Sequence, residues 1–298
     1  MPTSIRASAL SSGAGRRRTV SRGIATTLRP VRRSPGMMVG GLLLLVMVAG
    51  AVAAPVLVRY DPIALNPTDR MLPPEARHLL GTDEFGRDVL TRILFGGRIS
   101  LRTGAVAVSL AIAIGVPMGL LSGFYGGLVD RGVMRLVDIM LTFPGILLAL
   151  VIVAILGPSL FNAMLAVGIS ASPTYARVIR AAVLTAKPLT YVEAARAIGC
   201  RNGRIVLLHI LPNVVAPIIV LGTLGVAGAI LAGAALSFLG LGAQPPQPEW
   251  GALLSEGRNF LLDAWWIATF PGLAIMVTVL AINLLGDGLR DLLDPQLR

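Results

Sequence analysis

The chain of 298 residues has one cysteine, one lysine, two histidines and only 15 acidic residues. A lone Cys200 cannot form an internal disulfide, so the fold does not depend on an oxidising compartment. Structural zinc is excluded too, because Cys200, His78 and His209 lack ligand spacing. The lysine, Lys187, stands in Ala-Lys-Pro and not between glycine and Ser or Thr, so the chain has no phosphate-cradling ATP loop. If ATP drives it, another polypeptide binds the nucleotide. Charge is scarce at 14% and apolar residues make up 55%, against about 25% and about 45–50% in soluble domains. That balance, with a mean hydropathy of +0.78, excludes disorder and collagen and indicates a protein that crosses a membrane several times.

Uncharged stretches run over 37–58, 103–125, 139–176, 205–248 and 264–286. A helix spanning about 30 Å of hydrocarbon needs roughly 20 residues, so the third stretch is long enough for two, divided at Gly157-Pro158-Ser159. Prolines trim the fourth stretch to one helix over 213–240. The expectation is an all-α, polytopic protein with six transmembrane helices. Arg16-Arg17-Arg18 before an apolar run ending Ala51-Val52-Ala53-Ala54 has the outline of a cleaved signal peptide, but the run exceeds the roughly 7–15 residues of such a core. A retained first span is expected.

The net charge of +11 is concentrated in two places. Residues 1–36 carry eight Arg and no acid, and 177–204 carry six basic residues and one acid. With the N terminus inside, the inner segments hold 18 basic residues and the outer ones 8, so both termini are expected in the cytoplasm. Topology accounts for this charge better than nucleic-acid binding does. Residues 1–36, rich in Ser, Thr, Gly and Arg, read as a disordered basic tail, leaving 37–298 as the membrane domain.

The uncharged stretches hold no carboxylate for a proton relay. Their polar residues include Asn162, Ser170 and Ser172, which are candidates for a solute pathway, although interhelical hydrogen bonding is the plainer use of each. Gly115, Gly119, Gly123 and Gly127 recur every fourth position, a spacing that lets helices approach closely. Gly168-Ile-Ser170-Ala-Ser172 lacks the final glycine of a nucleophile elbow, so an intramembrane hydrolase using Ser170 and His209 is a weak alternative. A secondary carrier or channel, working without ATP, is the other rival.

Positions 187–213 are the most informative loop. Thr190 and Glu193 have capping-box spacing, and Gly199 suits the left-handed stop of a two-turn helix over Tyr191 to Ile198. Asn202 is expected to cap a second short helix over Arg204 to Ile210, closed by Pro212. On the outer side, Thr82 or Asp83 is expected to cap an amphipathic helix at the membrane surface, bearing Val89, Leu90, Ile93 and Leu94. Trp250, Trp265 and Trp266 mark the outer interface.

Four strings carry a resemblance. Glu193-Ala-Ala, three residues, Gly199, nine residues and His209-Ile-Leu-Pro-Asn213 resemble the E-A-A loop of binding-protein-dependent ABC permeases. HLLGTDEFGRDVLTRILFGGRISL (78–101), SFLGLGAQPPQPEWGALLSEGR (237–258) and FPGLAIMVTVLAINLLGDGLRDLLDPQLR (270–298) are similar to the C-type subunit of the dipeptide, oligopeptide and nickel group. Cys200 stands where a small residue is more usual in that group.

The resemblance implies a permease subunit of a prokaryotic inner-membrane importer for peptides or a related small solute. It implies a second permease subunit, two ATP-binding subunits holding ATP and Mg, and an extracytoplasmic solute-binding protein, with lipid around them and no cofactor on this chain. The loop residues Tyr191, Glu193, Ala194, Ala195, Arg196, Ala197, Gly199, Arg204, His209, Pro212 and Asn213 would then couple ATPase closure to alternating access. Glu193 would orient the loop, Ala194 and Ala195 would fit the ATPase cleft, and Gly199 would permit the bend.

Overall fold

A computed structural model of the chain describes residues 35–293. All but the last two residues of the expected basic tail lie outside the described residues. The helices are α1 (Pro35–Leu57), α2 (Val89–Tyr125), α3 (Gly127–Thr142), α4 (Gly145–Leu156), α5 (Leu160–Ala186), α6 (Thr190–Ala197), α7 (Asn202–Ile205), α8 (Leu211–Phe238), α9 (Trp250–Gly257) and α10 (Trp266–Leu293). Among the described residues there is no strand, and Thr82 and Asp88 form an isolated bridge.

Among the described residues, four helices are long and apolar enough to cross a membrane: α1, α2, the run Asn202–Phe238 and α10. A fifth span exists if α3 and α4 count as one, bent by 93°. The expected span over α5 has the length, 27 residues, but not the hydropathy. Its polar residues are tolerated because α5 is packed inside the bundle, with Ser172, Tyr175 and Ala176 buried. The Gly157-Pro158-Ser159 division appears as expected: Gly157 takes φ +90° and Ser159 caps α5 through Asn162 N.

The closest packing is between α2 and α5, which run parallel. A Cβ on Gly115 would lie 2.5 Å from Ser172 O, one on Gly119 2.6 Å from Ala176 O, and one on Gly123 2.8 Å from Val183 Cβ. Each step of four residues along α2 thus advances one turn along α5. Gly127 leaves this seam: with φ +56° it opens α3. Residues 127–138, between two of the uncharged stretches, are part of α3, because Val133 and Val137 recur at helical spacing and Val137 is fully buried.

At the far end of α2 from Gly126, a buried ion cluster replaces the expected surface helix. Asp83 accepts from Arg87 Nε and Arg92 Nη1, both at 2.6 Å. Glu256, on α9, accepts from Arg87 Nη2 at 3.0 Å and Arg92 Nη1 at 2.7 Å. Neither Thr82 nor Asp83 caps α2. Asp88 does, accepting from Thr91 N at 2.8 Å while its other oxygen meets His78 Nδ1 at 2.9 Å. The sequence pattern 89–94 therefore continues into the span as one 37-residue helix, its charged side sealed by protein.

Two of the three tryptophans are also internal. Trp250 donates to Ile93 O and Trp266 to Thr82 O, and only Trp265 is exposed. Each buried indole N–H has found a backbone acceptor, which removes its reason to sit at a wet interface. Asp83, Glu84 and Glu256 converge closely enough for a cation, but Arg87 and Arg92 already occupy the oxygens of Asp83 and Glu256.

Gly119→Ala forces a methyl against the Ala176 carbonyl and should destabilise the chain by about 1–3 kcal/mol, read as a lower melting midpoint in detergent. Glu84 gives a pH-dependent test. Burial lifts its carboxyl above the ordinary 4.5, with Asp83 and Glu256 adding to the effect. The folded chain holds that proton to higher pH than the unfolded one, so the contribution is full below 4.5 and lost as pH rises through the folded value. Glu84→Gln should therefore melt higher than the parent at pH 7, with the gap closing as pH falls towards 4.5.

Candidate functional site

The end of the bundle where α2 and α5 finish carries α6 and α7. Val192 and Ala195, one turn apart on α6, are buried against Val116, Leu120 and Phe124 of α2 and Ile179 and Val183 of α5. Ile205 and Ile210 complete this cluster from the other side of Gly199. The rest of α6 faces out: Glu193, Ala194, Arg196 and Ala197 are exposed, and Ile198 is 80% exposed. Ala195, expected to fit a partner's cleft, instead fills this chain's own core.

The stop at Gly199 is the expected one. Gly199 has φ +80°, its N–H reaches Arg196 O at 2.9 Å, and Cys200 N reaches Ala195 O at 3.0 Å. These two bonds satisfy carbonyls at the helix end in the Schellman arrangement. The start differs. Leu189 is the N-cap and Thr190 is the first helical residue, so no capping box forms. Likewise Arg201, not Asn202, precedes α7, and neither helix has a side-chain cap. Packing of Val192 and Ile205 fixes both starts.

Pro212 does not close a helix. A π-turn over Val206–Ile210 joins α7 to α8, with Leu211 N bonded to Val206 O, and Pro212 sits in the first turn of α8. The wider turn removes the need for the amide that proline lacks. Asn213 Nδ2 donates to His209 O at 2.6 Å. Tyr191 Oη and His209 Nδ1 are buried without hydrogen-bond partners among the described residues, and Arg204 is exposed.

Cation–π contacts fasten α6 to the seam. The Arg196 guanidinium lies 5.6 Å and the Lys187 ammonium 5.9 Å from the centre of the Phe124 ring. Sequence reasoning missed Phe124, because nothing local links it to a loop more than 60 residues on. It also missed the ion pairs Arg180–Asp130 and Arg177–Asp138, at 2.6 and 2.7 Å, which tie α5 to α3. The signal was present in the three-residue spacing of Arg177 and Arg180 just past an uncharged run.

A cavity of about 500 Å³ lies among α2, the α3–α4 bend, α5 and α8. Its lining is apolar apart from Ser170, Thr174 and Tyr175, and it contains no charged side chain. Gly225 leaves room for the Tyr175 hydroxyl, which donates to Leu221 O at 3.1 Å.

Of the three pathway candidates, only Ser170 lines this cavity. Asn162 donates to Leu156 O and Gly157 O, both at 2.9 Å, and so holds the α4–α5 turn. Ser172 is buried against α2 and donates to Ile169 O. Ser170 donates to Val167 O of its own helix, and His209 lies in the π-turn, so the two do not form a hydrolase pair.

Residues 115–298 match the family described as binding-protein-dependent transport system inner membrane component. Residues 25–74 match the N-terminal TM domain of oligopeptide transport permease C. The dipeptide transport system permease protein DppC of Alkalihalophilus pseudofirmus is 47% identical over 270 residues, 91% of this chain and 89% of that protein. The di/tripeptide transport system permease protein DppC of Pseudomonas aeruginosa is 47% identical, covering 88% and 89%. The glutathione transport system permease protein GsiD of Pectobacterium atrosepticum is 48% identical, covering 87% and 86%.

Among solved structures, an inward-facing MetNI methionine ABC transporter matches with a TM-score of 0.55 at 21% identity, over 68% of this chain and 96% of that one. At that identity the likeness concerns the fold. The sequence matches decide the family: this chain belongs to the binding-protein-dependent transport system inner membrane components, as a membrane permease.

Proposed function

We propose that the chain is one of two membrane subunits of an ATP-driven importer for dipeptides or related short peptides. The names of its relatives, dipeptide, di/tripeptide and glutathione permeases, support that solute class. The uncharged cavity beside Ser170 and Thr174 suits a pathway that admits side chains of varied character. In this reading residues 37–298 form the permease domain, the N-terminal segment is a basic tail, and both termini face the cytoplasm. A second permease subunit, two ATP-binding subunits and an extracytoplasmic binding protein complete the assembly. ATP and Mg belong to the ATP-binding subunits.

The observation that carries the coupling role is the division of α6 into two faces. Val192 and Ala195 key it into the ends of α2 and α5, while Glu193, Ala194, Ala197 and Ile198 are presented outward on a helix closed by the Gly199 stop. A partner gripping the outer face moves the inner face with it, because close-packed contacts transmit displacement. ATP binding draws the two ATPases together, α6 follows, and the helix ends to which it is keyed shift the cavity's access between the two sides.

Gly199→Asp and Glu193→Lys test this. A Cβ at Gly199 meets nothing within 4 Å, so Gly199→Asp costs only backbone strain, about 1–2 kcal/mol, and the chain should still fold. In vesicles reconstituted with the assembled transporter, complexes carrying either variant should still hydrolyse ATP while peptide uptake falls at least tenfold. Uptake at the parental rate would refute the coupling role.

A further inference from the structure

The outer surface of α3 is amphipathic in its own right. Val137 packs inward, Leu128, Leu136 and Ile139 are 79%, 51% and 54% exposed, and Arg131, Arg135 and Asp138 form a second exposed stripe. Between α3 and α5 lies a pocket of about 790 Å³ lined by Asp130, Arg131, Met134, Arg135, Asp138, Arg177 and Arg180.

The charges in this pocket do not balance. Asp130 is held by Arg180 through Nε and Nη2, both at 2.6 Å, and accepts from Ser122. Asp138 is held by Arg177. With both acids matched, Arg131 and Arg135 remain exposed and without an ion pair among the described residues. A pocket mouth with two spare guanidiniums beside an apolar stripe has the composition that receives a phosphate attached to a greasy chain.

Geometry supplies the depth. Ala149 and Val153 of α4 cluster with Ala163, Ala166 and Val167, so α4 lies along the first half of α5. On α3, Asp130 and Asp138 are eight residues apart, yet they reach Arg180 and Arg177, three apart; α3 therefore crosses α5. The 93° bend turns α3 out of the line of the wholly apolar α4. A helix turned in this way beside an apolar α4 has the composition to lie along a membrane surface, with leucines for the hydrocarbon and arginines for the phosphates.

We propose that the α3–α5 pocket binds the phosphate of an anionic phospholipid headgroup, clasped by Arg131 and Arg135. The site is at the α6 end of the bundle, since Ser122 and Phe124 at the end of α2 meet Asp130 and Arg196 respectively. Lipid occupancy there braces the α3–α4 bend against α5.

The test uses the full-length chain in nanodiscs containing equal phosphatidylglycerol and phosphatidylcholine, with retained lipid counted by native mass spectrometry. The eight arginines of residues 1–36 are common to every variant and cancel in the comparison. Arg131→Gln with Arg135→Gln should lower phosphatidylglycerol retention relative to phosphatidylcholine by about fivefold per arginine removed. The paired Lys variants should keep most of it. Both pairs should melt as the parent does, because the side chains replaced are exposed.

Equal phosphatidylglycerol retention in the Gln pair overturns the proposal. So does displacement of the lipid by millimolar inorganic phosphate, which marks a free-anion site. Loss of ATPase-subunit association with unchanged lipid retention assigns the arginines to a protein partner and likewise overturns it.

Discussion

Inside a bilayer, helices gain nothing from escaping water, and this bundle is held by how closely two backbones can approach. Gly115, Gly119 and Gly123 bring α2 against α5 with no side chain between them. Everything else uses that seam as its datum. The Phe124 ring and the Val116–Leu120 surface at one end exist as a socket because α2 and α5 end together. The ion cluster at the other end depends on the same alignment through the first turns of α2, where Asp88 and Arg92 sit. Parallel helices of this kind need a return connection, and the bent α3–α4 pair provides it.

The two ends differ in how they hold charge. Around Asp83, charges are buried and paired, with Glu256 binding α9 to the start of α2, while Arg92 Nε and Nη2 and Glu84 Oε2 have no hydrogen-bond partner among the described residues. Around Phe124 they are paired in the open or stacked on an aromatic face. A buried ion cluster is costly to break once formed, about 3–5 kcal/mol for loss of one partner, whereas exposed pairs exchange cheaply. The first end is therefore the harder of the two to take apart.

Sequence reading recovered what local chemistry decides. The charge-free runs became helices, the Gly157-Pro158-Ser159 break fell where expected, and Gly199 ended α6 in a left-handed turn. It failed where a partner remote in sequence made the choice. Thr82, Asp83 and Asp88 are all competent caps, and His78 together with Arg87 and Arg92 determined which one served. Trp250 and Trp266 read as interfacial until carbonyls at Ile93 and Thr82 took their N–H groups. In residues 127–138 a balanced charge conceals a helix whose signal lies in the order of its residues. Ala194 and Ala195 are indistinguishable in sequence, and only packing against α2 separates an outward from an inward methyl.

The π-turn before Pro212 has a geometric consequence. Because the wider loop of hydrogen bonding absorbs the proline, α8 continues unbroken for 28 residues, about 42 Å. A swing of about 10° pivoted at that turn would carry the far tip of α8 through roughly 7 Å. That tip touches α9, where Gly251 abuts the Ala234 carbonyl. A small change of angle beside His209 is thereby magnified where α8 meets α9.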